Sequence, residues 1–237
     1  MKLVSHGKTS VGMKRTGNED SFYHDDTIGL YIVADGMGGH NAGEVASNIA
    51  VKSIKEHIIK QEVLNESSLS DAIYIANGNI FKQAKRNTQY SGMGTTVTSM
   101  LIKNASATLC HVGDSRAYLL SEGKLVQLTE DHTYVNEQFR NGFISYEQMG
   151  THTMRNVLTR SIGFSEYVKV DSQKIVIHPG NRFILCSDGL THMVKDDIIS
   201  ELVSMPDIYH AASTLIDVAN ANGGDDNITV IIIDVIE

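Results

Sequence analysis

The chain has 237 residues, 41% hydrophobic and 20% charged, with 2 Pro, 2 Cys and no Trp, a composition that excludes disordered, collagenous and disulfide-built proteins. Lys and Arg number 20 against 28 Asp and Glu, a net charge of -8 that disfavours nucleic acid as a partner. No window holds enough uninterrupted apolar residues to span a membrane, and Met1 to Gly12 has no apolar core of signal-peptide length. Cys110 and Cys186 sit inside apolar runs and read as buried free thiols of a reducing cytoplasm. A chain of this length buries roughly 70% of its extended surface. No Pro/Ser-rich or charge-run linker interrupts it, so a single domain over residues 1–237 is expected.

In chain order, Phe22-Tyr23, the turn at Asp25-Asp26 and the run Leu30 to Ala34 read as a hairpin. A helix follows from about Ala42 to Ile59, burying Val45 or Ala46, Ile49 and Ile54. Leu69, Ala72, Ile73, Ala76 and Ile80 repeat at helical spacing, with Ser70 as the expected cap. Val97 to Ile102 and Ala107 to Val112 are β-branched, strand-like runs. Tyr118 to Leu120 and Leu125 to Leu128 flank Ser121-Glu122-Gly123-Lys124, a second hairpin with Gly in its turn. Asp131 to Asn156 is polar and only weakly periodic. Phe183 to Cys186 is a strand; Ile208, Ala211, Ala212, Leu215 and Ala219 form a helix face behind Asp207 as cap; Ile228 to Ile236 is the last strand. Hairpins imply antiparallel neighbours and one-sided helices need an apolar sheet to cover. The fold class is therefore α+β, an antiparallel β-sandwich core with helices outside.

Several strands carry an acidic residue at one end: Leu30 to Ala34 ends on Asp35, Leu109 to Gly113 on Asp114, Phe183 to Ser187 on Asp188. Asp226 precedes the last strand, and Glu19-Asp20 precedes another. Each alone is an ordinary strand-end turn residue. Together, converging carboxylates would repel and raise one another's pKa, a conflict that a hard divalent cation such as magnesium or manganese resolves. The ten His form no HExxH pattern and two Cys cannot cage zinc. The Gly-rich stretch from Asp35 to Gly43 follows a strand and opens a helix, as a phosphate loop would, but it lacks Gly-Lys-Ser/Thr and begins on a carboxylate.

Eight motifs then occur in order: Arg15-x-x-x-Glu19-Asp20, Val33-Ala-Asp-Gly-Met-Gly-Gly-His40, Gly94-Thr-Thr96, His111-Val-Gly-Asp-Ser-Arg116, Leu128-Thr-x-Asp-His132, Leu158-Thr-Arg-Ser-Ile-Gly163, Leu185-Cys-Ser-Asp-Gly-Leu190 and Asp226-Asn-Ile-Thr229. In this the chain resembles the metal-dependent serine/threonine protein phosphatases of type 2C, in their compact bacterial form. The resemblance implies a β-sandwich flanked by helices on both sides, with two manganese or magnesium ions at one end. It implies Asp35 as the bridging ligand, the Gly36 carbonyl, Asp188 and Asp226 as the other protein ligands, and Glu19 and Asp20 as outer ligands through water. Asp114 resembles the residue that joins Asp188 at a third, weaker metal site.

The activity so implied is hydrolysis of phosphoserine and phosphothreonine on proteins by a metal-bridging hydroxide, with no covalent phosphoenzyme. Arg15 resembles the phosphate clamp. Where many eukaryotic relatives have His after the Asp-Gly, this chain has Met37. His40 either donates the leaving-group proton or merely packs or caps the next helix. Residues 133–157 resemble a flap beside the site, and His152-Thr-Met-Arg-Asn156 lacks the Pro that bacterial relatives commonly carry after the His, which frees the backbone there. The expected partners are phosphorylated proteins and a serine/threonine kinase, with neither nucleic acid nor membrane, and a monomer. A turnover-less binding module and a two-metal nuclease are the alternatives; the complete set Arg15, Asp35, Asp188 and Asp226 speaks against the first and the net charge against the second.

Overall fold

The computed structural model describes residues 1–38 and 42–236. Its elements run β1 (Leu3–Ser10), β2 (Asp20–Asp25), β3 (Leu30–Met37), α1 (Ala42–Lys60), α2 (Ser68–Arg86), β4 (Gly94–Thr95), β5 (Val97–Lys103), β6 (Ser106–Val112), β7 (Arg116–Ser121) and β8 (Lys124–Gln127). Then come α3 (Tyr134–Arg140), α4 (Tyr146–Thr151), β9 (Asp171–Val176), β10 (Arg182–Cys186), α5 (Asp188–Thr191), α6 (Asp196–Val203), α7 (Ile208–Ala221) and β11 (Ile228–Val235). Every pairing between them is antiparallel. One sheet has the order β1-β11-β10-β7-β8 and the other β2-β3-β5-β6-β9, with β4 paired to β3.

The period-2 alternation of the strands builds three apolar layers. On β3, Tyr31 and Val33 face the space between the sheets, where they meet Met100, Leu109, Phe183, Leu185, Ile231 and Ile233. Leu30, Ile32 and Ala34 point the other way, onto Ala46, Ala50 and Ile54 of α1 and Leu69, Ile73 and Ile80 of α2. On the far sheet Ile184, Val230 and Ile232 pack under Ile199 of α6 and Ala212 and Leu215 of α7. Each fully buried Ile or Leu contributes about 1.5–3 kcal/mol. Strands apolar on both faces are thus explained by helices covering both outer faces, and the expected α-β-β-α layering is what the chain adopts.

Both hairpins form, and the β7–β8 turn places Glu122 and Gly123 at φ 51° and 74°, the left-handed pair that two-residue hairpin loops use. Asp207 caps α7 by accepting the Tyr209 N–H at 2.9 Å. Ser70 does not cap α2: the helix begins at Ser68 behind Ser67, and the Ser70 hydroxyl donates back to the Ser67 carbonyl at 2.9 Å. Both Cys are free and buried. Among the described residues no helix is long and apolar enough to cross a membrane.

Candidate active site

The two sheets bring their acid-bearing ends together. Register pairs Asp20 on β2 with Asp35 on β3, while Asp188 follows β10 and Asp226 precedes β11 in the opposite sheet. Arg15, Glu19, Asp35, Gly36, Asp114, Asp188 and Asp226 line one cavity of about 730 Å³. Asp20, buried next to Glu19, is not among the lining residues, and His40 falls outside the described residues.

Asp20 staples the sandwich at this end. Its Oδ2 accepts the Ser187 hydroxyl at 2.8 Å and the Thr229 hydroxyl at 2.6 Å, both from the other sheet. Thr229 in turn pairs with Thr9 at 2.8 Å, and Asn18 donates to Thr9 at 2.8 Å, a polarised chain that ends on the carboxylate. The other oxygen, Asp20 Oδ1, is buried without a partner, and so is Asp188 Oδ1. Burial, only partly offset by those hydroxyls, pushes Asp20 up to about 7. Burial and the neighbouring Asp20, Asp188 and Asp114 hold Asp35 well above the usual carboxylate range, with Asp188 within hydrogen-bond reach. Asp114 is raised in the same way, by burial and then by Asp188.

Backbone geometry fixes where these acids sit. The Asp35 N–H donates to Thr96 Oγ1 at 3.0 Å, and Thr96 pairs with the buried Ser115 hydroxyl at 2.7 Å, tying β3 to the Asp114 loop. The Gly36 N–H donates to the Glu19 carbonyl at 3.2 Å. A Cβ on Gly36 would collide with that carbonyl and with the Gly43 backbone, so no other residue fits there without moving the loop. Asn227 joins the first and last loops: its Oδ1 accepts the Glu19 N–H at 2.7 Å, and its Nδ2 donates to the Val11 and Gly17 carbonyls at 2.8 and 2.9 Å. These hydroxyls and this amide lie inside the motifs read from the sequence, but only the fold assigns them their positioning roles.

Arg15 is the one arginine reaching the acids from the amino-terminal loop. Its Nη2 donates to Asp226 Oδ2 at 2.7 Å, and the Asp226, Glu19 and Asp35 charges all favour its protonated form. Among the described residues no three carboxylates already converge as ligands of one ion. Arg15 occupies an Asp226 oxygen that the expected ligand set would use. The donor set nevertheless fits a hard cation: hard oxygen donors, desolvated, with two buried oxygens unpartnered.

A network absent from the sequence-level site stands behind Asp114. The Gly113 N–H donates to His132 Nδ1 at 3.0 Å, so Nε2 carries the proton and donates to Asp171 Oδ2 at 3.0 Å. Arg160, on the cavity wall, donates to Asp171 Oδ1 at 2.9 Å. The flap segment is closed at its root by Tyr134 N–H to the Val157 carbonyl and Thr159 N–H to the His132 carbonyl, both 2.8 Å, and carries α3 and α4.

Clustered carboxylates, two of them with an unpartnered buried oxygen, beside the Arg15 and Arg160 guanidiniums of one open cavity suit hydrolysis of a phosphate ester with cations as partners, and that is the class the site defines. The family model for protein phosphatase 2C matches residues 12–223. A serine/threonine phosphatase of Listeria monocytogenes is 37% identical over 238 residues, covering 96% of this chain and 94% of its own. The solved structure of the Mycobacterium tuberculosis serine/threonine phosphatase PstP/Ppp superposes with a TM-score of 0.95 at 34% identity over 100% of both chains. A structure of the PstP catalytic domain in complex with two manganese ions superposes at 0.92, with 34% identity and coverage of 100% and 99%. The chain belongs to the protein phosphatase 2C family, and with it to the metal-dependent serine/threonine protein phosphatases.

Proposed function

We propose that this cavity binds two divalent cations, manganese or magnesium, and hydrolyses phosphoserine and phosphothreonine on proteins. The observation that carries the reading is the pair of buried, unpartnered carboxylate oxygens, Asp20 Oδ1 and Asp188 Oδ1. An unpaired buried carboxylate costs several kcal/mol, and cations relieve that cost. Asp35, the Gly36 carbonyl, Asp188 and Asp226 would hold the two ions, with Glu19 and Asp20 acting through water, and Asp114 with Asp188 would form a weaker third site. Bound there, the ions would supply a water of lowered pKa as the nucleophile at neutral pH.

The chain's own residues do the rest. Arg15 has five N–H donors and commits one to Asp226, leaving others for phosphate oxygens. His40 is the candidate donor of the leaving-group proton, since Met37 beside the ligand carbonyl has none to give. Both thiols are buried and the pKa of each is raised by that burial, so neither is a nucleophile. The phosphate esters consumed here must be written by protein serine/threonine kinases, which makes such a kinase the functional opponent. Residues 1–237 act as one catalytic unit, a cytoplasmic monomer, with 133–157 as the flap.

The test is turnover of a phosphothreonine peptide with manganese and with chelator. Activity that appears with manganese and vanishes with chelator supports the reading. Chelator-insensitive turnover would overturn it.

A further inference from the structure

Residues 158–169, just beyond the flap, supply one wall of the cavity that the acids line, and two large aromatic side chains stand on it almost bare. Phe164 is 71% and Tyr167 85% exposed, and both line the cavity. Exposed aromatics usually ride on loose loops; this turn is clamped. Asn77 of α2, only 2% exposed, accepts the Gly163 N–H at 2.7 Å and donates to the Ser165 and Glu166 carbonyls at 3.1 and 3.0 Å. A buried amide with its bonds turned onto one surface turn fixes that turn's backbone in place. Gly163, at φ 92°, packs so closely on Ile80 that a Cβ there would collide with it.

The other side of the turn is fixed as well. Ile162 exchanges both backbone hydrogen bonds with Thr95, at 2.9 and 3.0 Å, and the Thr95 hydroxyl donates to the Asp35 carbonyl at 2.7 Å. One residue therefore links the aromatic turn to the central carboxylate, which sets the spacing between them. Lys169 completes the wall on the same cavity and takes part in none of the ion pairs among the described residues.

We infer that Phe164 and Tyr167 form a docking rim for the substrate chain next to the phosphorylated residue, selecting segments with a bulky apolar side chain beside the phosphoserine or phosphothreonine. The inference rests on the phosphatase reading and names its substrate class. The occupant follows from continuity: a chain whose phosphate reaches Arg15 and the acids must leave the cavity over one of its walls. This wall offers rigid aromatic surface, which gains contact area at little entropic cost.

The test compares three substrates: a phosphothreonine peptide with Leu beside the phosphoresidue, the same peptide with Ala there, and a capped phosphothreonine. The wild type is expected to prefer the Leu peptide over the Ala peptide by about tenfold in kcat/KM, carried by KM. In F164A/Y167A that preference should fall to within about twofold, with the thermal midpoint unchanged because both side chains are exposed. A wild type without the preference, or a double variant that keeps it, overturns the rim. If the wild type hydrolyses none of the three with manganese, the phosphatase reading fails, and the rim with it. Hydrolysis of capped phosphothreonine without a rim effect leaves that reading standing and removes only the inference.

Discussion

Two cavities of nearly equal size, about 730 and 740 Å³, lie at opposite ends of β3 and β5. The distal one is lined by Leu3, Ile28, Ile58, Ile59 and Ile102 and, among the described residues, by a single carboxylate, Asp26. Asp26 is at rest: Oδ2 accepts the Ser5 N–H and Oδ1 the Tyr31 hydroxyl, each at 3.0 Å. At the other end Asp20 and Asp188 each bury an oxygen with nothing to bond. Volume does not distinguish a site from a dent in the surface; charge that the fold leaves uncompensated does.

The largest test of that contrast is mutational. Asp35→Asn or Asp188→Ala is expected to lower kcat by at least about 10³-fold in steady-state assays on a phosphothreonine peptide. Asp26→Asn at the distal cavity should leave kcat within about twofold while costing about 1–2 kcal/mol of stability. Comparable losses at both ends would erase the distinction. Next in size, Arg15→Ala should reduce kcat/KM about 10²-fold, with partial recovery in Arg15→Lys, which keeps the charge but not the fork. His40→Ala should lower kcat by about 10² and remove the alkaline limb of the pH profile; full turnover with an unchanged profile would exclude His40 as the acid.

A smaller effect concerns stability. Asp20, with a folded pKa of about 7, is raised above its ordinary value near 4. A raised acid binds its proton more tightly in the folded state, so the metal-free protein loses stability as pH climbs from about 4 through about 7. Burial is the main cause, with Asp188 and Asp226 adding to it, and cations stabilise the ionised carboxylates, so manganese should raise the thermal midpoint by more degrees at pH 8 than at pH 5. An equal increment at both pH values would contradict the acid cluster as the binding locus. The smallest contrast is dynamic: amides of 133–157 should exchange faster than those of β3, and equal protection would mean the flap is not the looser region.

How legible these features were depended on how many faces an element buries. β3 and β11 are apolar on both faces because helices and the second sheet cover them, and their runs stand out in the sequence. β1 and β9 are edge strands, half-exposed and broken by residues such as Gly7, Lys8 and Lys174, so they leave no comparable run. The cap of α2 was misplaced because Ser67, Ser68 and Ser70 all offer a hydroxyl and only packing decides among them. The clustered acids were visible as strand ends. The Arg15–Asp226 pair, 211 residues apart, and the Asn77 clamp on Gly163, 86 residues apart, exist only once the chain has folded.

Turnover should depend on this cluster of acids holding two cations. Equilibrium dialysis against manganese, with activity measured on the same samples, tests it most directly. The wild type should retain two ions per chain and be active, while Asp35→Asn retains at most one and is inactive. An active wild type that holds no manganese after dialysis against chelator, or an Asp35→Asn protein that keeps both ions and full turnover, would contradict the account.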